Sequence, residues 1–152
     1  MSSVLYEDKP HYDIWMKAIM ALPLAFVLIG AFYSADSEPG EAISMFATAI
    51  LVAVIYWAIF PRKYCILENK VKITLGGRFS FNISFNTIEN AKSPEGMAVG
   101  INFATSFSGK NAVQIVRRGK LNVNITPGNG SLFIENLDKA LNSWRTNNTK
   151  AQ

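Results

Sequence analysis

Tyr56-Trp57-Ala58-Ile59-Phe60-Pro61-Arg62-Lys63-Tyr64 is where this chain changes character. Before it the sequence is almost continuously apolar from Ile14, with one short acidic interruption. After it, apolar and polar residues alternate and Gly and Asn mark turns. Aromatic rings followed by Pro and two cations suit the edge of a bilayer. The rings tolerate the headgroup layer, Pro ends a helix, and the cations stay in water. The stretch therefore reads as the boundary between a membrane segment and a soluble domain.

On the amino-terminal side lie two apolar runs. Ile14 to Ser34 contains 21 residues, a helix of about 31 Å and close to the hydrocarbon thickness of a bilayer. Its single charge, Lys17, is near enough to the start to snorkel, and Trp15 marks the same edge. The second run, Ala42 to Phe60, has no charge, and Tyr56 and Trp57 mark its edge. Ala21 with Ala25, and Ala49 with Ala53, give each run a pair of small residues for close packing. The flank before Ile14 is acidic and no small-x-small cleavage site follows near Ser34, so a signal peptide is not indicated. Trp15, Lys17, Tyr56, Trp57, Arg62 and Lys63 are the expected membrane-interface residues.

Charge sets the expected orientation. The connecting loop 35–41 holds three acids and no cation, whereas the outer flanks hold Lys9 and Lys17, then Arg62, Lys63, Lys70 and Lys72. The positive-inside tendency places both termini in the cytoplasm, with the plasma (inner) membrane of a prokaryote as the expected location. Residues 1–13 then form a cytoplasmic amino-terminal segment, 14–34 and 42–60 the two transmembrane helices, 61–146 a cytoplasmic domain, and 147–152 a disordered tail. Residues 1–60 carry two Lys against six acids, a net −4, while residues 61–152 carry 13 Lys or Arg against five acids, a net +8. Such an excess suits either a solvated surface or an anionic partner such as acidic lipid.

Beyond Tyr64 the period is two. Val71, Ile73 and Leu75 alternate with polar residues, then Gly76-Gly77 turns into Phe79, Phe81, Ile83 and Phe85. Further short strands are expected at Ile88–Ala91, Met97–Thr105, Val113–Val116 and Leu121–Ile125, about seven antiparallel strands in all. After Pro127-Gly128-Asn129-Gly130 the period changes. Phe133, Leu137, Ala140, Leu141 and Trp144 make one stripe of an amphipathic helix that should cap the strand layer.

From Tyr64 to Ser143 the residues YCILENKVKIT, FNISFNTIENAKS and NVNITPGNGSLFIENLDKAL resemble bacterial PH-like (pleckstrin-homology-like) domains that follow a two-helix membrane hairpin. The resemblance implies a mainly-β, partly open barrel of about seven antiparallel strands capped by one carboxy-terminal helix. Photosystem assembly factors with a membrane hairpin and a similar domain are a more distant likeness.

The inventory of reactive groups is thin. His11 is the only histidine and precedes the first apolar run, so no Ser-His or Cys-His pair is expected in the domain. Cys65 is the only cysteine and reads as a buried strand residue. No enzyme activity, cofactor or metal is expected. Candidate anion or lipid-headgroup contacts are Lys70, Lys72 and Arg78 around the first turn, and Arg117, Arg118 and Lys120 on a later one. Lipid-binding PH domains commonly carry Arg-x-Arg in the first region, but here Phe79-Ser80 follows Arg78, so specific phosphoinositide binding is not expected. No exposed aromatic platform for nucleic acid is apparent.

The expected function is membrane-anchored binding or scaffolding. The PH-like domain would recognise a protein partner, a second copy of itself, or the anionic leaflet. An assembly or accessory role in a larger membrane complex is the alternative, with a lipid- or envelope-modifying enzyme behind it.

Overall fold

A computed structural model of the protein describes residues 3–94, 99–107 and 109–149. The chain begins with a strand, β1 (Val4–Asp8), and then enters two helices, α1 (Ile14–Ser34) and α2 (Pro39–Ile59). Strands β2 (Lys63–Leu67), β3 (Lys70–Thr74), β4 (Ser80–Ser84), β5 (Ile88–Lys92), β6 (Ile101–Phe103), β7 (Val113–Arg117) and β8 (Val123–Ile125) follow, and α3 (Gly130–Thr149) ends the order.

Both long helices are apolar enough to cross a membrane by length and composition. Asp13 caps α1 by accepting the Met16 N–H at 2.7 Å, which answers one of the orphan donors of a helix start. Helix α2 starts three residues earlier than its apolar run, because Pro39 takes the first position, where a missing N–H is harmless, and Glu41 lies in the first turn. It stops at Ile59. Phe60 is extended, as a residue before proline prefers to be. The helices contact along Ala31, Ala42 and Ala49, which are buried, and Phe32 meets Phe46 edge-on at 5.7 Å. Ala21, Ala25 and Ala53 stay exposed, so of the expected small-residue positions only Ala49 lies in the buried contact. Elsewhere the apolar surface is uncovered, with Phe26 and Ile43 each 70% exposed.

The β region forms two four-stranded sheets, ordered β1-β2-β3-β4 and β5-β7-β8-β6, and these are not closed into a barrel. The amino-terminal segment, in which the sequence shows no strand pattern, supplies β1, antiparallel to β2 with Asp8 opposite Tyr64. The two helices are thus an insertion between neighbouring strands of one sheet. A second departure concerns β6, which pairs parallel to β8 instead of joining an antiparallel meander. The pairing starts where the Ile101 N–H donates to the Asn122 carbonyl at 2.8 Å. Gly100 permits this approach. Its φ is +148°, and a Cβ there would stand 2.3 Å from the Asn122 oxygen. The expected strand residues Met97 and Ala98 and the turn residue Ser108 lie outside the described residues.

Period two holds in β3 and β4, where Val71, Ile73 and Ile83 are fully buried and Phe81 is half-buried. Phe79, expected on the same face, is instead an exposed turn residue, and Phe85 is buried from a short 3₁₀ turn. Cys65 is buried on β2, and burial pushes its thiol upward, which keeps it protonated. Helix α3 closes the core with Phe133, Leu137, Ala140 and Leu141. Asn129 caps it by accepting the Leu132 N–H at 3.0 Å. The Phe133 ring stands 6.0 Å from Tyr6 and 6.4 Å from Tyr64, both edge-on, and Trp144 meets Phe85 at 6.2 Å. The helix runs to Thr149 and so includes residues expected in a disordered tail. Thr146, Asn148 and Thr149 each donate to the carbonyl four residues back, which ties the polar last turn together.

Candidate functional site

The junction between helices and sheets is built from both chain ends of the insertion. On the outgoing side, Arg62 donates its N–H to the Thr74 carbonyl at 2.8 Å, so β2 is registered within three residues of the end of α2. The Arg62 guanidinium lies 5.2 Å from the centre of the Trp57 ring, a cation–π contact. The turn Gly76-Gly77 packs against that same tryptophan. A Cβ on Gly76 would fall 1.5 Å from the Trp57 carbonyl oxygen, and one on Gly77 2.9 Å from the ring. These glycines therefore serve two ends. They turn the β3–β4 hairpin, and they let it touch the last turn of α2.

On the incoming side, the Tyr12 hydroxyl donates to the Pro61 carbonyl at 2.6 Å, and its ring stands 6.3 Å from Phe60. Burial pushes the Tyr12 phenol up to about 12, opposed by the nearby positive Arg62. Residues 8–13 are also tied to the second sheet. The His11 N–H donates to the Thr126 carbonyl at 2.8 Å, and the Thr105 hydroxyl donates to the His11 carbonyl at 2.7 Å. Asp13, besides capping α1, accepts the Phe107 N–H at 2.7 Å and the Ser106 hydroxyl at 2.8 Å. Asp8 accepts the Asn129 N–H at 3.0 Å. Both ends of the insertion run into the first sheet, and the incoming end is tied to the second as well.

The expected basic residues are spread over places that the fold does not unite. Arg62 and the exposed Arg78, in the turn against Trp57, lie at the junction, with Lys9 and Lys17 on the incoming side. Lys63 is engaged with Glu7 at 2.8 Å. Lys72 stands midway along β3, opposite Cys65 and Asn82. Lys70 begins β3 at the far end from the junction. Arg117, Arg118 and Lys120 flank the β7–β8 turn, the opposite end of those strands from Thr126, which binds the segment before α1. Arg118 pairs there with Glu89 at 3.2 Å. Trp15 is 70% exposed at the start of α1.

The acids are dispersed as well. Ser3 donates to Glu68, and Glu135 pairs with Lys139 at 2.6 Å, which lowers its carboxyl through that hydrogen bond. Glu95 lies outside the described residues. Among the described residues no three His, Cys, Asp or Glu side chains come together in a metal-holding group.

Sequence reasoning counted Lys9 only as a flanking cation, and passed over Asp13 as a cap and the contact that Tyr12 makes with Pro61. Asp13 had a legible signal, an acidic residue directly before an apolar helical run. Tyr12 had none, because its partner is a backbone carbonyl 49 positions away. Comparison with protein-family models, with curated protein sequences and with solved structures finds no match.

Proposed function

We propose that this chain is a membrane-anchored, non-catalytic binding protein. Its PH-like domain is held on the cytoplasmic leaflet by both legs of a bilayer-spanning hairpin and meets a protein partner there. The observation that carries this reading is the insertion of the hairpin between β1 and β2. Two attachments fix the domain's attitude as well as its distance from the membrane, which a binding surface needs and a flexible tether does not supply.

The partner surface we assign is the outer edge of β4. Among the described residues Ser80–Ser84 pairs with β3 on one side only, and the second sheet meets it through the Phe81–Phe103 ring contact at 5.2 Å and not through a ladder. The strand contains no Pro and no charged residue to blunt its edge. An unblunted edge takes an added strand, the backbone supplying affinity and alternate side chains specificity. The adjoining Phe79, 64% exposed, supplies an apolar contact beside it.

A photo-reactive residue at Asn82 of the full-length protein in its own membrane tests this. A single adduct at twice the chain mass supports self-association, and one with a stoichiometric unrelated subunit supports an assembly role. The same group placed at Arg118 should give neither. Absence of any polypeptide adduct from Asn82 would overturn the edge assignment.

A further inference from the structure

We infer that the junction holds one anionic phospholipid in a fixed position, its phosphate in a basic and aromatic recess and one acyl chain along a groove between α1 and α2. The inference rests on the reading of the two helices as bilayer-spanning, and is independent of what binds β4.

The recess, about 550 Å³, is lined by Tyr12, Trp57 and Phe60 together with Lys9 and Arg62. A second space of about 370 Å³ continues along the helices between Met20, Ala21, Leu24 and Ala53, with Lys17 beside it. Tyr12, Met20 and Tyr56 line both, so the two adjoin. The combined shape has a charged head and an apolar tail.

Three features match that shape to an anionic lipid. First, the groove exists because Ala21 and Ala53 are small and lie outside the buried contact made by Ala31, Ala42 and Ala49. At this depth a bilayer offers an acyl chain, not water, to fill it. Second, among the described residues no carboxylate lines either space, while Lys9, Lys17 and Arg62 do. The nearest acids in sequence are bonded elsewhere, Asp8 to the N–H groups of Lys9 and Asn129, and Asp13 to those of Met16 and Phe107. Third, the Arg62 guanidinium carbon lies 5.2 Å from the centre of the Trp57 ring, a cation–π contact that holds the charge at the recess, where a phosphate can take its N–H groups. The Tyr12 hydroxyl is already given to Pro61, so this ring is a wall and not a donor.

The test uses the full-length protein in nanodiscs of equal phosphatidylcholine and phosphatidylglycerol, followed by native mass spectrometry of the lipid retained after detergent exchange. One retained phosphatidylglycerol per chain is expected. In the Lys9→Gln/Arg62→Gln double variant the headgroup preference should fall about 30-fold. Ala53→Leu, and separately Ala21→Leu, should fill the groove and abolish retention of either lipid while circular dichroism of the β region stays unchanged. No retained lipid in the parent protein, indifference to headgroup, or undiminished retention in both leucine variants would overturn the site. Alkaline carbonate extraction separates this outcome from failure of the membrane reading. Release of the chain into the soluble fraction overturns the hairpin itself, whereas a chain that resists extraction but retains no lipid overturns only the site.

Discussion

Gly76 is the residue through which the β domain leans on α2, and it allows no substitute. In Gly76→Ala the new methyl would overlap the Trp57 carbonyl, so the β3–β4 turn must lift off the helix. A destabilisation of about 1–3 kcal/mol is expected from such overpacking, together with a shift of Trp57 fluorescence, and thermal unfolding in detergent measures both. At Arg118 of the far turn, whose partners are Glu89 and Thr87, an Ala substitution should leave the fluorescence as it was.

The tyrosines give the junction a pH dependence of definite sign. Burial raises Tyr12 to about 12 and raises Tyr64 further in the same direction. Above about pH 10 the unfolded chain releases phenolic protons that the folded chain retains, so stability falls as pH rises. Their contribution is therefore complete below pH 10 and lost as pH climbs through 12. Tyrosinate absorbance and far-ultraviolet circular dichroism, followed together in an alkaline titration, should show these two ionisations only as the β signal is lost. Ionisation of both well before unfolding would contradict their burial.

Among the elements, β1 has the largest consequence for how the protein can be handled. A fragment that starts at residue 61 lacks β1, leaves the β2 edge bare, and removes Tyr6 from the face of Phe133. It should aggregate. Joining residues 1–12 to 61–149 by a short Gly-rich linker restores the strand and should give a monomer with one cooperative melt, because Tyr12 and Pro61 are already in hydrogen-bond contact. Size-exclusion chromatography and thermal circular dichroism of the two proteins decide it. If both behave alike, β1 is dispensable. The sequence hid this strand because its pattern is short and two acids follow Tyr6, while the partner strand lies beyond 54 residues of helix and loop. Helix α3, by contrast, was legible from its apolar stripe up to Trp144. Its polar last turn was not, since hydrogen bonds to the chain's own carbonyls hold it and leave no hydrophobic period to detect. The parallel β6–β8 pair was illegible for a third reason. Alternation reports which face a residue takes, not which neighbour its strand chooses.

At the scale of the whole molecule, pairing of β1 with β2 ties the residues before α1 and after α2 into one sheet. If α1 and α2 cross a bilayer, both termini must then lie on the same side of it, whatever the loop carries. A reporter enzyme active only outside the cytoplasm should be silent when fused before Met1 or after Gln152, and active when inserted at Ser37. Activity at one terminus but not the other would be incompatible with the β1–β2 pair. The sequence by itself determined the two apolar helices, their acidic connection, the amphipathic α3 and the alternating faces of β3, because each is a local periodicity or a local excess of charge. Only the tertiary structure decided that the aromatic and basic stretch at residues 56–64 is one wall of a recess whose other wall is Lys9 to Tyr12. The contacts that close it, Tyr12 to Pro61 and Gly76 to Trp57, join residues distant in sequence through backbone atoms. Backbone atoms are the same in every residue, so no pattern of side chains announces them.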